Sequence, residues 1–469
     1  SDRAIPRSLR MMEGFGVHTF RLINADGEAH FVKFHWKPVL GIHSLVWDEA
    51  QRIAGKNPDF HRQDLYEAIE KGDFPEWELG LQIIPEKDEF DFDFDILDPT
   101  KLWPEEDVPV KIVGKMTLNR NVHNFFAETE QVAFHPGHVV PGIDFSNDPL
   151  LQGRLFSYTD TQLTRLGGPN FHQIPINQPV CPFHNNQRDG MHQMAIHQGQ
   201  TSYHRNGLNA NQPEPAPVEL GGYESYQEKI EGRKIRGRSE SFLDFYSQAK
   251  LFYNSLAPFE QQHLKDALSF ELGKCKSDMV KNNAVALLNH IDRKVAVEVA
   301  DNIGAELPEE NLEVKSDKKS PALSMAKTVS QPSTKSAAIL LNGEPDDEKV
   351  TDWVRTLAQY NINFSIVAKK VYTISPVLKV TDTFDTADSS LFDAAILISS
   401  SAEVEPCALE FMETTFKHFK PLAVAVPDNK ALERCRVKLD APGVYNLSED
   451  DITPFIEGMA KGRFWERPL

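Results

Sequence analysis

The stretch Asp148-Pro-Leu-Leu-Gln-Gly-Arg154-Leu-Phe-Ser-Tyr158-Thr-Asp-Thr-Gln162 sets an arginine and a tyrosine four residues apart. On a helix those two positions share a face, so the guanidinium can lie against the phenol. A phenol ordinarily ionises near pH ~10, and a fixed positive charge at hydrogen-bond distance lowers that value. A phenolate is a hard, strongly donating ligand for a ferric ion. Taken alone, an R-x-x-x-Y spacing has a simpler reading, a helix with one buried tyrosine and one surface arginine. The rest of the chain decides between the two.

Upstream, His18-Thr-Phe-Arg-Leu-Ile-Asn24 and Ala29-His-Phe-Val-Lys-Phe-His-Trp36 flank Asp26-Gly27. Alternating apolar residues around an Asp-Gly turn predict a β-hairpin. Helices are expected over 45–54 and 62–71, and strands over 77–84 and 110–118. Glu89-Phe-Asp-Phe-Asp-Phe-Asp-Ile96 alternates fully but lacks the residue order of a calcium loop. It is expected to be an extended segment with its Phe face buried. From 121 to 222 regular patterns fade outside the Arg154 stretch, and so long a coil must be wrapped around other structure. Within it, Phe134-His135-Pro-Gly-His138 has an i, i+3 histidine spacing. Pro136-Gly137 breaks any helix that would aim both rings at one ion.

Residues 223–304 turn helical, with 3.6-type apolar spacing over 256–270 and 279–303 and Pro258 near a helix start. Residues 305–335 are polar, rich in Ser, Lys and Pro, and expected to be a linker. From 336 onward the grammar changes. Continuous apolar strands (336–341, 363–368, 394–399, 422–426) alternate with helices, which predicts a doubly wound parallel sheet. Such sheets bind phosphate at the loop after the first strand, but here that loop is Asn342-Gly-Glu-Pro-Asp-Asp-Glu348, whose acidity repels phosphate. Cys407, at an expected helix start, would have its thiolate favoured there. With no evident His partner it reads as structural.

The chain has 469 residues, a formal charge of −19 and four cysteines, Cys181, Cys275, Cys407 and Cys435. The length implies more than one core. The acidity argues against nucleic acid or an anionic membrane as partner, and no apolar run reaches the ~20 residues of a membrane span. The scattered cysteines give neither a disulfide framework nor a zinc site, and suit a reduced compartment, so a cytoplasmic location is expected.

Residues 148–162 resemble, nearly residue for residue, the proximal haem-ligand helix of monofunctional haem catalases, and the carboxy-terminal module points to the large-subunit, hydroperoxidase II type. The resemblance implies that Tyr158 is the axial ligand of haem iron and that Arg154 holds it ionised. It implies a His18–Asp148–Arg154 chain behind the ligand, pairing of Arg165 with a haem propionate, and a place for His135 beside Tyr158, where it can be bonded covalently to the tyrosine Cβ. Haem b or a modified d-type is the implied cofactor, with NADPH not expected. Hydrogen peroxide is the implied substrate and a homotetramer the implied assembly, the coil of 121–222 being the segment that crosses between subunits.

The implied fold class is α+β. Residues 1–222 would hold the second half of the catalase antiparallel β-barrel and the wrapping segment, 223–304 an α-helical domain and 305–335 a linker. Residues 336–469 would form a flavodoxin-like, class I glutamine-amidotransferase-like domain, catalytically silent. The distal histidine motif V-H-A-R-G of the family does not occur in the chain. The expectation is therefore a carboxy-terminal portion of a catalase, inactive alone. The alternatives are a non-catalytic haem-holding scaffold subunit and a haem enzyme converting fatty-acid hydroperoxides.

Overall fold

The computed structural model describes all residues except 181–186, 234, 238–239, 345, 377, 429–431, 433, 448–450 and 469. Cys181 and His184 lie outside the described residues.

The amino-terminal half is built on an antiparallel sheet. Its strands are β1 (Gly14–Phe15), β2 (Phe20–Ile23), β3 (Ala29–Pro38), β4 (Glu76–Pro85), β5 (Lys111–Thr117) and β6 (Ile143–Phe145). They run in the order β5-β4-β3-β2-β6, with β1 also paired to β3. Between β3 and β4 the chain makes α1 (Trp47–Lys56) and α2 (Phe60–Lys71). The β2–β3 hairpin forms as expected, with Phe20 opposite Val32. Its turn is held by the Asn24 side chain, which accepts from the backbone of Asp26 and Glu28, and by Gly27 at φ +79°. Asparagine and glycine suit such a turn because one caps local N–H groups and the other tolerates positive φ.

Residues 89–96 are not an extended strand. They form turns and bends after a short 3-10 turn at Glu86–Asp88. Phe92 and Phe94 pack partly against a core of Phe31, Ile84, Ile96, Trp103 and Val108, while Phe90 stays 87% exposed. The acidic residues at every second position, which are poor strand formers, leave the apolar ones to be buried by local folding instead of by alternation.

After β6 comes α3 (Pro149–Leu166), the longest helix among the described residues; the described residues that follow, up to 246, are coil with short 3-10 turns. Among the described residues regular helix resumes at α4 (Ser247–Ser255), then α5 (Pro258–Gly273), α6 (Asp278–Ile291) and α7 (Arg293–Ile303). The single helix expected over 279–303 is two. Asp292 leaves helical geometry at φ −155°, ψ 121° and caps α7 by accepting from the backbone of Lys294 and Val295. A short polar side chain that can satisfy orphan N–H groups offers the backbone an alternative to continuing the helix. The two helices then fold against each other, burying Val285, Ala296 and Ala300. The segment 305–335 is not free of the body. Glu260, buried near the start of α5, accepts from the Ser324 hydroxyl and the Met325 N–H, and Val314 donates to the His290 carbonyl.

The last part contains β7 (Ser336–Asn342), α8 (Asp347–Gln359), β8 (Asn363–Ala368), β9 (Thr373–Ser375), β10 (Leu378–Lys379), β11 (Asp382–Thr383), β12 (Ala394–Ser399), α9 (Pro406–Lys417), β13 (Leu422–Ala425), β14 (Val444–Asn446) and α10 (Thr453–Lys461). All six strands of the main sheet are parallel, in the order β11-β8-β7-β12-β13-β14. Successive residues of β7 point to opposite faces. Ala337, Ile339 and Leu341 join a core with α8 and α10, and Ala338 and Leu340 join a second core with α9. Both faces are buried, which is why the strands are continuously apolar.

This unit docks on the amino-terminal part through buried ions. Glu49 of α1 is fully buried, 2.5 Å from Lys420 Nζ and 2.6 Å from Arg463 Nη2. Arg7 pairs with Asp393 at 2.6 Å, and Trp465 stacks on Phe259 of α5 with ring centres 4.6 Å apart.

Candidate functional site

The helix carrying Tyr158 is fixed at both ends by its sequence. Asp148 is the N-cap, its Oδ1 accepting from Leu150 N–H at 2.9 Å and Leu151 N–H at 3.0 Å, and Pro149 follows at the first helical position. Gly167, at φ 80°, ends the helix in the left-handed conformation. Capping aspartate, N1 proline and C′ glycine are the residue types these positions favour.

Asp148 has a second task. Its other carboxylate oxygen lies 2.7 Å from His18 Nδ1, and the far nitrogen of that ring, Nε2, lies 2.8 Å from Arg154 Nη1. Arginine only donates, so Nε2 is the acceptor and the ring proton sits on Nδ1, donated to Asp148. The chain therefore runs Asp148–His18–Arg154, with the histidine in the middle. Sheet register brings these distant residues together. Phe20 of β2 stands opposite Phe145 of β6, so the same antiparallel pairing continued outward sets His18 beside the Asn147-Asp148 corner. Burial alone would raise the Asp148 carboxyl. The His18 hydrogen bond and the two capping N–H groups outweigh it, and the group is held below the ordinary carboxylate range.

Tyr158 lies one turn past Arg154 and is half-buried. Among the described residues its hydroxyl has no hydrogen-bond partner, and the Arg154 side chain bonds to His18 rather than to the phenol. His135 approaches the tyrosine ring edge-on, with ring centres 6.2 Å apart. Its Nδ1 accepts from Gly137 N–H at 2.8 Å, and its Nε2 lies 2.8 Å from the Thr159 hydroxyl. Thr159 donates that hydroxyl to Leu155 O, so it accepts from His135 Nε2. Gly137 lets the ring sit this close, because a Cβ there would fall 2.8 Å from the His135 ring and displace it. His138 stacks on His135 at 4.7 Å, so the i, i+3 pair stacks face to face rather than converging on one point. Burial lowers the pKa of both rings.

Arg165, two turns beyond Tyr158, is exposed. Its guanidinium donates to the carbonyls of Glu130 and Val132 and, at 2.8 Å, to Gln162 Oε1. Gln162 was not singled out in the sequence. It is buried, and it also donates to the Phe134 carbonyl at 2.8 Å, so it ties α3 to the loop that carries His135. Its place four residues after Tyr158, on the same face, was the available signal. Thr159 carried no comparable signal. In the carboxy-terminal unit, Cys407 lies at the start of α9, half-buried, and its thiol is raised by burial, which outweighs the helix N-terminus expected to favour the thiolate.

Residues 1–210 match the family model described as "Catalase". The chain belongs to the catalase family. Residues 239–303 match the model described as "Catalase-related immune-responsive", and residues 334–468 the "C-terminal domain found in long catalases", which places the chain with large-subunit catalases. A protein named "Catalase" from Alkalihalophilus pseudofirmus is 54% identical over 480 residues, covering 100% of this chain and 70% of its own length. "Catalase-2" of Bacillus subtilis is likewise 54% identical, with the same coverage. "Catalase HPII" of Pseudomonas putida is 50% identical over 488 residues, covering 100% of this chain and 68% of its own. The similarity to catalases thus covers both the part with the antiparallel sheet and the part with the parallel one.

Proposed function

We propose that this catalase-family chain holds haem through Tyr158 and serves the decomposition of hydrogen peroxide to water and oxygen. The observation that carries the reading is the Asp148–His18–Arg154 line, which delivers a guanidinium to the helix turn next to a half-buried phenol with no hydrogen-bond partner among the described residues. That donor set fits haem. A phenolate is the ligand type for ferric iron, and the second row of hydrogen bonds orients it and tunes its donation. When bound, the haem supplies the redox cycle of peroxide disproportionation.

The protein residues do the positioning. Asp148 fixes the proton of His18 on Nδ1, His18 holds one N–H of Arg154, and the remaining donors of Arg154 are left for the phenolate oxygen. Arg165, two turns along the helix, would pair with a haem propionate by giving up part of its bonding to the Glu130 and Val132 carbonyls. His135 flanks Tyr158. We further propose haem b or a d-type variant, a homotetramer and a cytoplasmic site of action. We divide the chain into core (1–222), helical (223–304), linking (305–335) and flavodoxin-like (336–469) parts; the regular helices of the second begin only at Ser247, and the linking part packs on Glu260.

Tyr158→Phe tests the assignment. The full chain, refolded or expressed with haem, is expected to lose haem or to lose the charge-transfer bands of phenolate-bound ferric iron. An unaltered tyrosine-ligated spectrum in that variant would overturn it.

A further inference from the structure

A cavity of about 310 Å3 lies where the carboxy-terminal unit meets the amino-terminal part, far in sequence from the Tyr158 helix. Five cationic side chains line it: Arg7, Lys335, Lys420, Lys461 and Arg463. Three carboxylates pair with four of them. Asp393 takes Arg7, Glu49 takes both Lys420 and Arg463, and Glu466 takes Lys461. Lys335 has no carboxylate within ion-pair distance among the described residues. Its ammonium is buried, and it donates to two carbonyls at the end of α10, Met459 O at 2.6 Å and Ala460 O at 3.1 Å. An ammonium has three donors, so one remains.

A second observation points to the same place. Ser44 lines the cavity, is 5% exposed, and its hydroxyl is buried without a hydrogen-bond partner among the described residues. Buried hydroxyls are normally satisfied, and an orphan calls for a group that the protein itself does not supply. His43 adds no charge. Its Nε2 lies 3.0 Å from the Val329 carbonyl, and burial and Lys335 draw its pKa down to about 4. Gly462, at φ +91°, brings backbone close to Lys335, where a Cβ would lie 3.4 Å from Nζ. Asp393 is the one carboxylate in the lining; Arg7 at 2.6 Å and the Ser336 N–H at 2.9 Å hold it directly, and Lys335 attracts it from beyond ion-pair distance.

We propose that this cavity binds a small dianionic oxyanion, inorganic phosphate or the phosphate of an organic monoester, through Lys335 and the Ser44 hydroxyl against the surplus positive charge of the interface. Charge-assisted hydrogen bonds to phosphate in a buried site are strong, and such a ligand would tie the two halves of the chain together by bridging Lys335 and Ser44. A ligand that binds only the folded state raises its stability.

The test is calorimetric titration of the full chain with inorganic phosphate and, separately, with AMP, in chloride buffer of matched ionic strength. Saturable binding is expected, accompanied by a rise in the unfolding midpoint. Lys335→Met and Ser44→Ala should each weaken it, the first by roughly tenfold, as the loss of a charged hydrogen-bond donor implies. Phosphate binding as tightly as AMP identifies the free ion as ligand, and tighter AMP binding identifies a phosphomonoester. Lower affinity in either variant that unfolds cooperatively supports the site. Absence of saturable binding by the unaltered chain, or equal affinity in every variant that folds, overturns it.

Discussion

His18 Nε2 lies 2.8 Å from Arg154 Nη1, and the opposite edge of the same ring is 2.7 Å from Asp148. One imidazole therefore joins the cap of α3 to an arginine one and a half turns along it. The guanidinium next to the candidate ligand is positioned by a residue from the bend just before β2, not by the helix alone. Geometry at such a site depends on the supporting residues as much as on the ligand.

Arg154→Ala is expected to reduce haem occupancy and peroxide turnover more than Arg154→Lys, and Arg154→Lys is expected to fall short of the unaltered protein. Lysine keeps the charge but loses the planar fork that can meet His18 and the phenolate together. Absorption spectra and oxygen evolution in the assembled enzyme measure this. Equal behaviour of Lys and Arg would show that charge alone matters.

Asp148→Ala removes the N-cap of α3 and the partner of His18 in one change. Loss of such a cap costs about 1 kcal/mol, and the hydrogen bond to His18 adds to that. The effect should fade in acid. Because the folded carboxyl is held below its unfolded value, its contribution is complete above the unfolded value of about 4 and is lost as the pH falls through the lower folded one. Denaturation midpoints of the two proteins should converge in that range. A constant gap would assign the effect to packing.

Glu49→Gln should be among the most disruptive substitutions in the chain. Burial alone would raise the Glu49 carboxyl, but Arg463 and Lys420 offset this and bring it down to about 2. Its stabilising contribution is therefore complete above about pH 4 and persists until the pH approaches 2. Removing one member of a buried ion group leaves its partners uncompensated, at about 3–5 kcal/mol. Thermal unfolding at neutral pH should show a lowered first transition, with the carboxy-terminal unit released early. An unchanged transition would mean that the stacking of Trp465 on Phe259 and other apolar contacts suffice for docking.

Asp292→Ala should cost about 1–2 kcal/mol through the lost cap of α7. It also strips one of two carboxylates from buried Lys250, which pairs with Asp292 at 3.0 Å and Glu313 at 2.6 Å. Asp292→Asn, which keeps the capping oxygen, should recover most of the cap and little of the pairing. Circular dichroism with urea titration separates the two. Equal losses for Ala and Asn would place the whole effect in the ion pair.

The sequence by itself determined the local elements and their kind. The Asn24–Gly27 turn, the apolar strands of 336–425 and the helix from Pro149 to Gly167 follow from short-range rules of φ preference, capping and periodicity. The spacing of Arg154 and Tyr158 likewise follows from helical repeat. What the local rules could not supply was long-range pairing. The order Asp148–His18–Arg154 depends on β2 meeting β6 in one register. The break at Asp292 depends on α6 and α7 gaining more by packing on each other than by continuing straight. The collapse of 89–96 into turns, the docking of 305–335 on Glu260 and the shared burial of Glu49, Lys420 and Arg463 likewise join residues far apart in the chain. Hydrophobic burial and ion pairing act between whatever surfaces the fold brings together, so these contacts were decided by tertiary structure alone.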